Sequence, residues 1–231
     1  LSTKGLEKVT FFKGLGTVAD KIEREGKIAS TLFDKFEVDA DKADLTRAVE
    51  IAKADLMSEM VYEFTELQGL MGGYYAAEQG ETKAVATAIS EQYLPDGEDS
   101  TLPSTPLSGV VAMSIKIDTL LGLFSVNQIP TGSRDPFALR RAVNGLVRII
   151  NEFEFSFDIV ETMKELSQNY SEIDLVKLEA FILERVKRYY DVNPSIIEAV
   201  LASGERDFLR LAQKIKALNN LVNAEGFDEV S

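Results

Sequence analysis

Apolar positions recur at helical spacing along nearly the whole chain, and the reading they give is all-α. Leu6 to about Phe36 reads as a long amphipathic segment, with Gly26 the place for a break. Asp44 is placed to cap a helix running to about Phe64. Its stripe is Leu45, Ala48, Val49, Ala52, Leu56, Met60 and Phe64. Gly69, Gly72 and Gly73 loosen the next turn, and a further helix covers about Thr82 to Tyr93. The prolines and acids between Pro95 and Pro106 predict a loop. A helix from about Pro106 to Phe124 follows it.

After a turn around Pro130 and Gly132, Asp135 can cap a helix and Pro136 can open it at the first helical position. Leu139, Ala142, Val143, Leu146, Val147 and Ile150 form its apolar stripe. Arg141, Asn144 and Arg148 line another face, with Arg140 beside them and Arg134 ahead of the cap. Near Glu154 to Phe157 the residues EFEFSF alternate, which predicts a short extended link and a boundary. Helices are then expected from about Asp174 to Tyr190, from Pro194, and from about Glu205 to Val222. The predicted domains are 1–155 and 156–231.

Composition removes several chemistries. With neither cysteine nor histidine, disulfides, thiolate metal sites and histidine-based nucleophilic catalysis are excluded within the chain. The formal charge of −13 argues against general nucleic-acid affinity, so any RNA contact has to be local. No apolar run approaches the roughly 20 residues that cross a bilayer, and no membrane partner is expected. The chain starts at Leu1 and reads as a piece of a longer protein.

Three runs carry a resemblance: ADLMSEMVYEFTELQGLMGGYY at Ala54 to Tyr75, VVAMSIKIDTLLGLF at Val110 to Phe124, and TGSRDPFALRRAVNGLVRII at Thr131 to Ile150. With LEKVTFFKGLGTVADKIE at Leu6 to Glu23, they resemble the beta subunit of the bacterial tetrameric glycyl-tRNA synthetase over most of residues 1 to about 200. The resemblance implies one subunit of a cytoplasmic ligase that joins glycine to tRNA(Gly). The alpha subunit would use ATP and Mg2+ for the chemistry, and the beta subunit would recognise tRNA. It implies no cofactor in this chain, no DNA partner, and no ligase activity in the fragment alone.

The family's beta subunits are similar to the HD metal-phosphohydrolase fold. The resemblance therefore implies a degenerate HD-like bundle, followed by the start of a helical anticodon-binding domain. Asp55 and Asp118 match two metal-binding positions of that fold, but Ala54 stands where its histidine would be and Ile115 where the family often has an acid. The two are read as vestiges of a metal pocket, now structural acids hydrogen-bonded or paired with Lys53 or Lys116. A phosphohydrolase needs ligands the chain lacks.

Arg134, Arg140, Arg141 and Arg148 are candidate tRNA phosphate contacts, since guanidinium forks match phosphate geometry. Their other reading is a solvated face or salt bridges to the surplus acids. Arg185, Lys187 and Arg188, beside Tyr189 and Tyr190, are a second candidate RNA group; the tyrosines also read as half-buried core. Gly14-Leu15-Gly16 lacks a phosphate-loop context and reads as a helix interruption or close-packing site. Glu63 and Glu66 read as exposed helical acids. A scaffold that holds the alpha subunit without touching RNA is the alternative function.

Overall fold

The computed structural model describes residues 2–224; the end of the second predicted domain, 225–231, lies outside them. Among the described residues the fold is all-α apart from one small hairpin. Its helices are α1 (Val18–Lys35), α2 (Lys42–Ile51), α3 (Glu59–Glu63), α4 (Leu70–Glu78), α5 (Lys83–Ser90), α6 (Pro106–Ser125), α7 (Leu139–Phe153), α8 (Ile159–Ser167), α9 (Leu175–Tyr189), α10 (Pro194–Ala202) and α11 (Phe208–Ala224). The strands β1 (Thr10–Phe12) and β2 (Gly16–Thr17) pair antiparallel ahead of α1.

α6 is the central post. Thr105 caps it and Pro106 opens it, and residues on every side of it are buried. α1, α5 and α7 pack around it. It has 20 residues with a mean hydropathy of 1.6, so by length and composition it is apolar enough to cross a bilayer. This corrects the expectation that no such stretch exists. Lys116 and Asp118 interrupt the run without lowering its average enough. In the fold, 94% of that stretch is buried against protein, so α6 is a core helix. One apolar core extends from Leu15 to Ile215, and Phe155 and Phe157 at the predicted boundary pack into it. Phe155 stacks on Phe36 with ring centroids 4.1 Å apart.

Several predicted elements change. The segment from Leu6 becomes a 3-10 turn, the hairpin, and only then α1. Gly14 and Gly16 sit at φ 90° and 74°, so they make the hairpin turn rather than a helix interruption. Thr17 and Asp20 then close a reciprocal capping box that starts α1. Gly26 does not break that helix. Asp41, not Asp44, caps α2. α2 ends at Ile51 because the next residues serve tertiary bonds: Lys53 and Asp55 are buried charges that need partners elsewhere. Met60 and Phe64, predicted as core, are 43% and 50% exposed on and beside the short α3. α4 runs straight through Gly72 and Gly73, and α8 had no counterpart in the sequence reading.

Asp135 does cap the arginine helix, but from further away than predicted. Its carboxylate accepts from the amides of Leu139 (2.8 Å) and Arg140 (3.0 Å), while Ala138 at φ 55° turns the chain. Pro136 therefore lies in the preceding turn and does not open the helix. Asp135→Ala should lower the stability of the chain by about 1–2 kcal/mol. Urea denaturation checks this, and an unchanged midpoint would refute it.

Candidate nucleic-acid interface

Asp118 lies at the middle of α6 with no solvent exposure. Its carboxylate accepts from Lys21 Nζ (2.6 Å), Arg24 Nε (2.7 Å) and the Tyr170 hydroxyl (2.6 Å). Burial alone would raise its pKa, but the Lys21 and Arg24 charges outweigh burial and hold it below the ordinary value. The network continues inward. Lys21 also pairs with Glu25 (3.1 Å), and Glu25 pairs with Lys53 (3.0 Å). All three are nearly fully buried.

Asp55 lies in the 3-10 turn Ala54–Met57 after α2. One carboxylate oxygen accepts from the amides of Gly69 (2.7 Å) and Gly72 (3.1 Å), tying down the start of α4. A side chain at position 72 would crowd that oxygen, at 3.1 Å, and Ile89, at 2.9 Å. Burial pushes the Asp55 pKa up, against the two amides and Lys53.

These environments do not fit a metal ion. Both oxygens of Asp118 are occupied by cations and a phenol, and one oxygen of Asp55 is committed to backbone amides. Both acids are buried and hydrogen-bonded, but the expected lysine pairings need correction. Lys53 pairs with Glu25, not with an aspartate. Lys116 has no ion-pair partner among the described residues and donates to the Tyr93 carbonyl (3.1 Å). Burial lowers its pKa to about 8.

The arginines of the 131–150 stretch behave differently. No carboxylate pairs with Arg134, Arg140, Arg141 or Arg148 among the described residues, although acids are in surplus. Arg140 donates to the Gly132 carbonyl (2.7 Å) and Arg141 to that of Asp96 (3.2 Å). Arg148 donates to the carbonyls of Gly97 (2.9 Å) and Ser100 (2.8 Å). Neutral carbonyls orient the guanidiniums of Arg140, Arg141 and Arg148 and leave each with full charge and spare N–H groups.

Arg185, Lys187 and Arg188 do not form one patch. Arg185 is mostly buried and pairs with Glu184 (3.1 Å), which also holds Arg188 (2.9 Å). Lys187 lies 3.7 Å from Glu198 on α10. Arg188 and Tyr189, however, reach a cleft of about 600 Å3 whose other wall carries Arg141 and Arg148. The fold thus brings Arg188 of the second basic group to Arg141 and Arg148 of the first. Tyr190 is largely buried, and Tyr189 is 37% exposed.

The comparisons settle the family. The model for the glycyl-tRNA synthetase beta subunit matches residues 2–202. The chain belongs to that family. It is 48% identical over 96% of its length to the glycine–tRNA ligase beta subunit of Helicobacter pylori (strain G27), of which it covers 33%. It is 42% identical over 93% of its length to that of Coxiella burnetii (strain Dugway 5J108-111), covering 32%. It is 43% identical over 86% of its length to that of Streptococcus gordonii, covering 30%. The chain therefore spans about a third of the length of the curated relatives it matches.

Sequence reasoning missed Lys21, Arg24 and Glu25 in this synthetase-family chain. The available signal was local: these charges share the buried face of α1 with Ile28 and Leu32, where apolar residues belong. It also missed the role of the 95–100 loop as a wall of the basic cleft.

Proposed function

We propose that this chain is a tRNA-holding part of the beta subunit of glycine–tRNA ligase. It positions tRNA(Gly) so that an alpha subunit can attach glycine using ATP and Mg2+. Its own residues touch no reacting bond. They contribute by orientation, which turns an encounter between two large molecules into a local event. A cytoplasmic setting goes with this role.

One observation carries the reading. In a chain with a formal charge of −13, Arg134, Arg140, Arg141 and Arg148 have no carboxylate partner among the described residues, and neutral carbonyls aim the last three. Arginines whose only role was to steady the fold would gain more from the abundant acids. Guanidiniums kept unpaired suit a polyanion.

The test uses the complete beta subunit assembled with alpha. Arg134→Ala with Arg140→Ala should weaken tRNA binding about tenfold at moderate salt and flatten the salt slope by roughly 1–2. Filter binding across a salt series measures both. Unchanged affinity and slope would defeat the reading.

A second reading, a docking face for the alpha subunit, has its own support. Met57, Met60, Tyr62, Phe64, Leu70 and Tyr74 are all exposed within one short span. Loss of alpha association on changing Tyr62 and Phe64, with tRNA affinity intact, would assign that role to this face.

A further inference from the structure

The cleft between α7, the last turn of α9 and the 95–100 loop is more than a basic surface. Its volume of about 600 Å3 falls within the range of small-ligand sites, roughly 300–1,000 Å3. It has a floor as well as walls. Gly145 lies at its base, and a side chain there would strike Lys116 Cε at 2.6 Å. The missing side chain gives the buried Lys116 stem room to pass close behind the cleft.

The lining is chemically mixed. Arg141 and Arg148 enter from one wall and Arg188 and Tyr189 from the other. Arg148 uses two of its five N–H groups to pin the loop, and Arg141 uses one. Arg188 shares Glu184 with Arg185 and stays exposed. One carboxylate, Glu98, also lines the cleft. It has no ion-pair partner among the described residues, despite the guanidiniums around it. Tyr189 is steadied by an edge-on contact with Tyr190, with centroids 5.1 Å apart.

We propose that this cleft is a pocket for one unstacked ribonucleotide whose base carries an exocyclic amine. The proposal rests on the tRNA-holding role argued above. The guanidiniums take the nucleotide's phosphate, the Tyr189 ring stacks on its base, and the Glu98 carboxylate accepts from the amine. Each group has a matching part of the ligand, and a free phosphate would use only the arginines. A duplex keeps its bases inside the helix and cannot present one to Tyr189, so the pocket reads single-stranded RNA.

Fluorescence anisotropy of the 231-residue chain with labelled tetracytidylate, tetrauridylate and a blunt RNA hairpin tests this at low salt. Tetracytidylate should bind saturably and more tightly than tetrauridylate. Tyr189→Leu should weaken it about tenfold, since stacking on one aromatic ring is worth about that. Tyr189→Phe, which keeps the ring, should bind like the parent. Glu98→Gln should erase the preference for cytidine. The proposal is overturned if no tetranucleotide binds saturably, if Tyr189→Leu binds as well as the parent, or if the hairpin competes as well as tetracytidylate. Arg134 and Arg140 do not line the cleft. A chain that loses tRNA affinity when they are changed, yet binds no tetranucleotide, would keep its tRNA role and lose this pocket.

Discussion

Replacing Asp118 with alanine should destabilise the chain by about 3–5 kcal/mol, the usual cost of removing one partner from a buried ion pair. The carboxylate is the common acceptor for Lys21, Arg24 and Tyr170, and it is completely buried. Its removal strands two cations whose side chains are only 7% and 13% exposed. Glu25 can still meet Lys21, but Arg24 keeps only the Leu15 carbonyl (2.9 Å) and loses its carboxylate. Equilibrium urea denaturation of parent and variant measures the loss. A second variant separates charge from packing: Asp118→Ala combined with Lys21→Met removes one stranded charge and should recover part of the stability. A single variant within 1 kcal/mol of the parent would refute the account.

The same pair gives a pH dependence. The folded pKa of Asp118 lies below its ordinary value of 3.8. Its contribution is therefore present above about pH 3.8 and lost as the pH falls through the folded value. Asp55 acts in the opposite direction. Its folded pKa is raised, so its ionised form costs the fold at neutral pH and that cost fades on acidification. The gap between parent and Asp118→Ala should thus narrow below pH 4.

Lys116→Met should instead stabilise the chain at pH 7. Lys116 is buried with one carbonyl partner and, among the described residues, no carboxylate bound to it. A pKa near 8 in place of 10.5 corresponds to roughly 3 kcal/mol against the charged form. Methionine fills a similar volume without the charge, but it leaves the Tyr93 carbonyl without its donor, which costs about 1 kcal/mol. The net gain should be about 2 kcal/mol. Below pH 8 the full cost of the ammonium is present, and between pH 8 and 10.5 it fades as lysine gives up its proton. The advantage of Lys116→Met should therefore shrink from pH 7 to pH 10, as paired denaturation curves would report. A variant less stable than the parent at pH 7 would show that the ammonium does more for the fold than its single hydrogen bond accounts for.

Amphipathic period and punctuation determined much of this protein by themselves. Pro106, Pro194 and the stripe of α7 were all legible, because helix starts and apolar faces act over only a few residues. The family was legible too, since long literal runs survive as sequence. The absence of histidine and cysteine settled which chemistries were out. Tertiary structure decided what local rules cannot rank. It ended α2 early so that Lys53 and Asp55 could reach partners on other elements. It gave Asp118 to Lys21 and Arg24, nearly a hundred residues away in sequence, and left the nearby Lys116 to a carbonyl. It also brought Arg188 across to Arg141 and Arg148. The physical reason is common to the first two. A buried charge is costly enough that finding its partner outweighs helical periodicity, and that partner is chosen by proximity in space, which the order of residues along the chain does not encode.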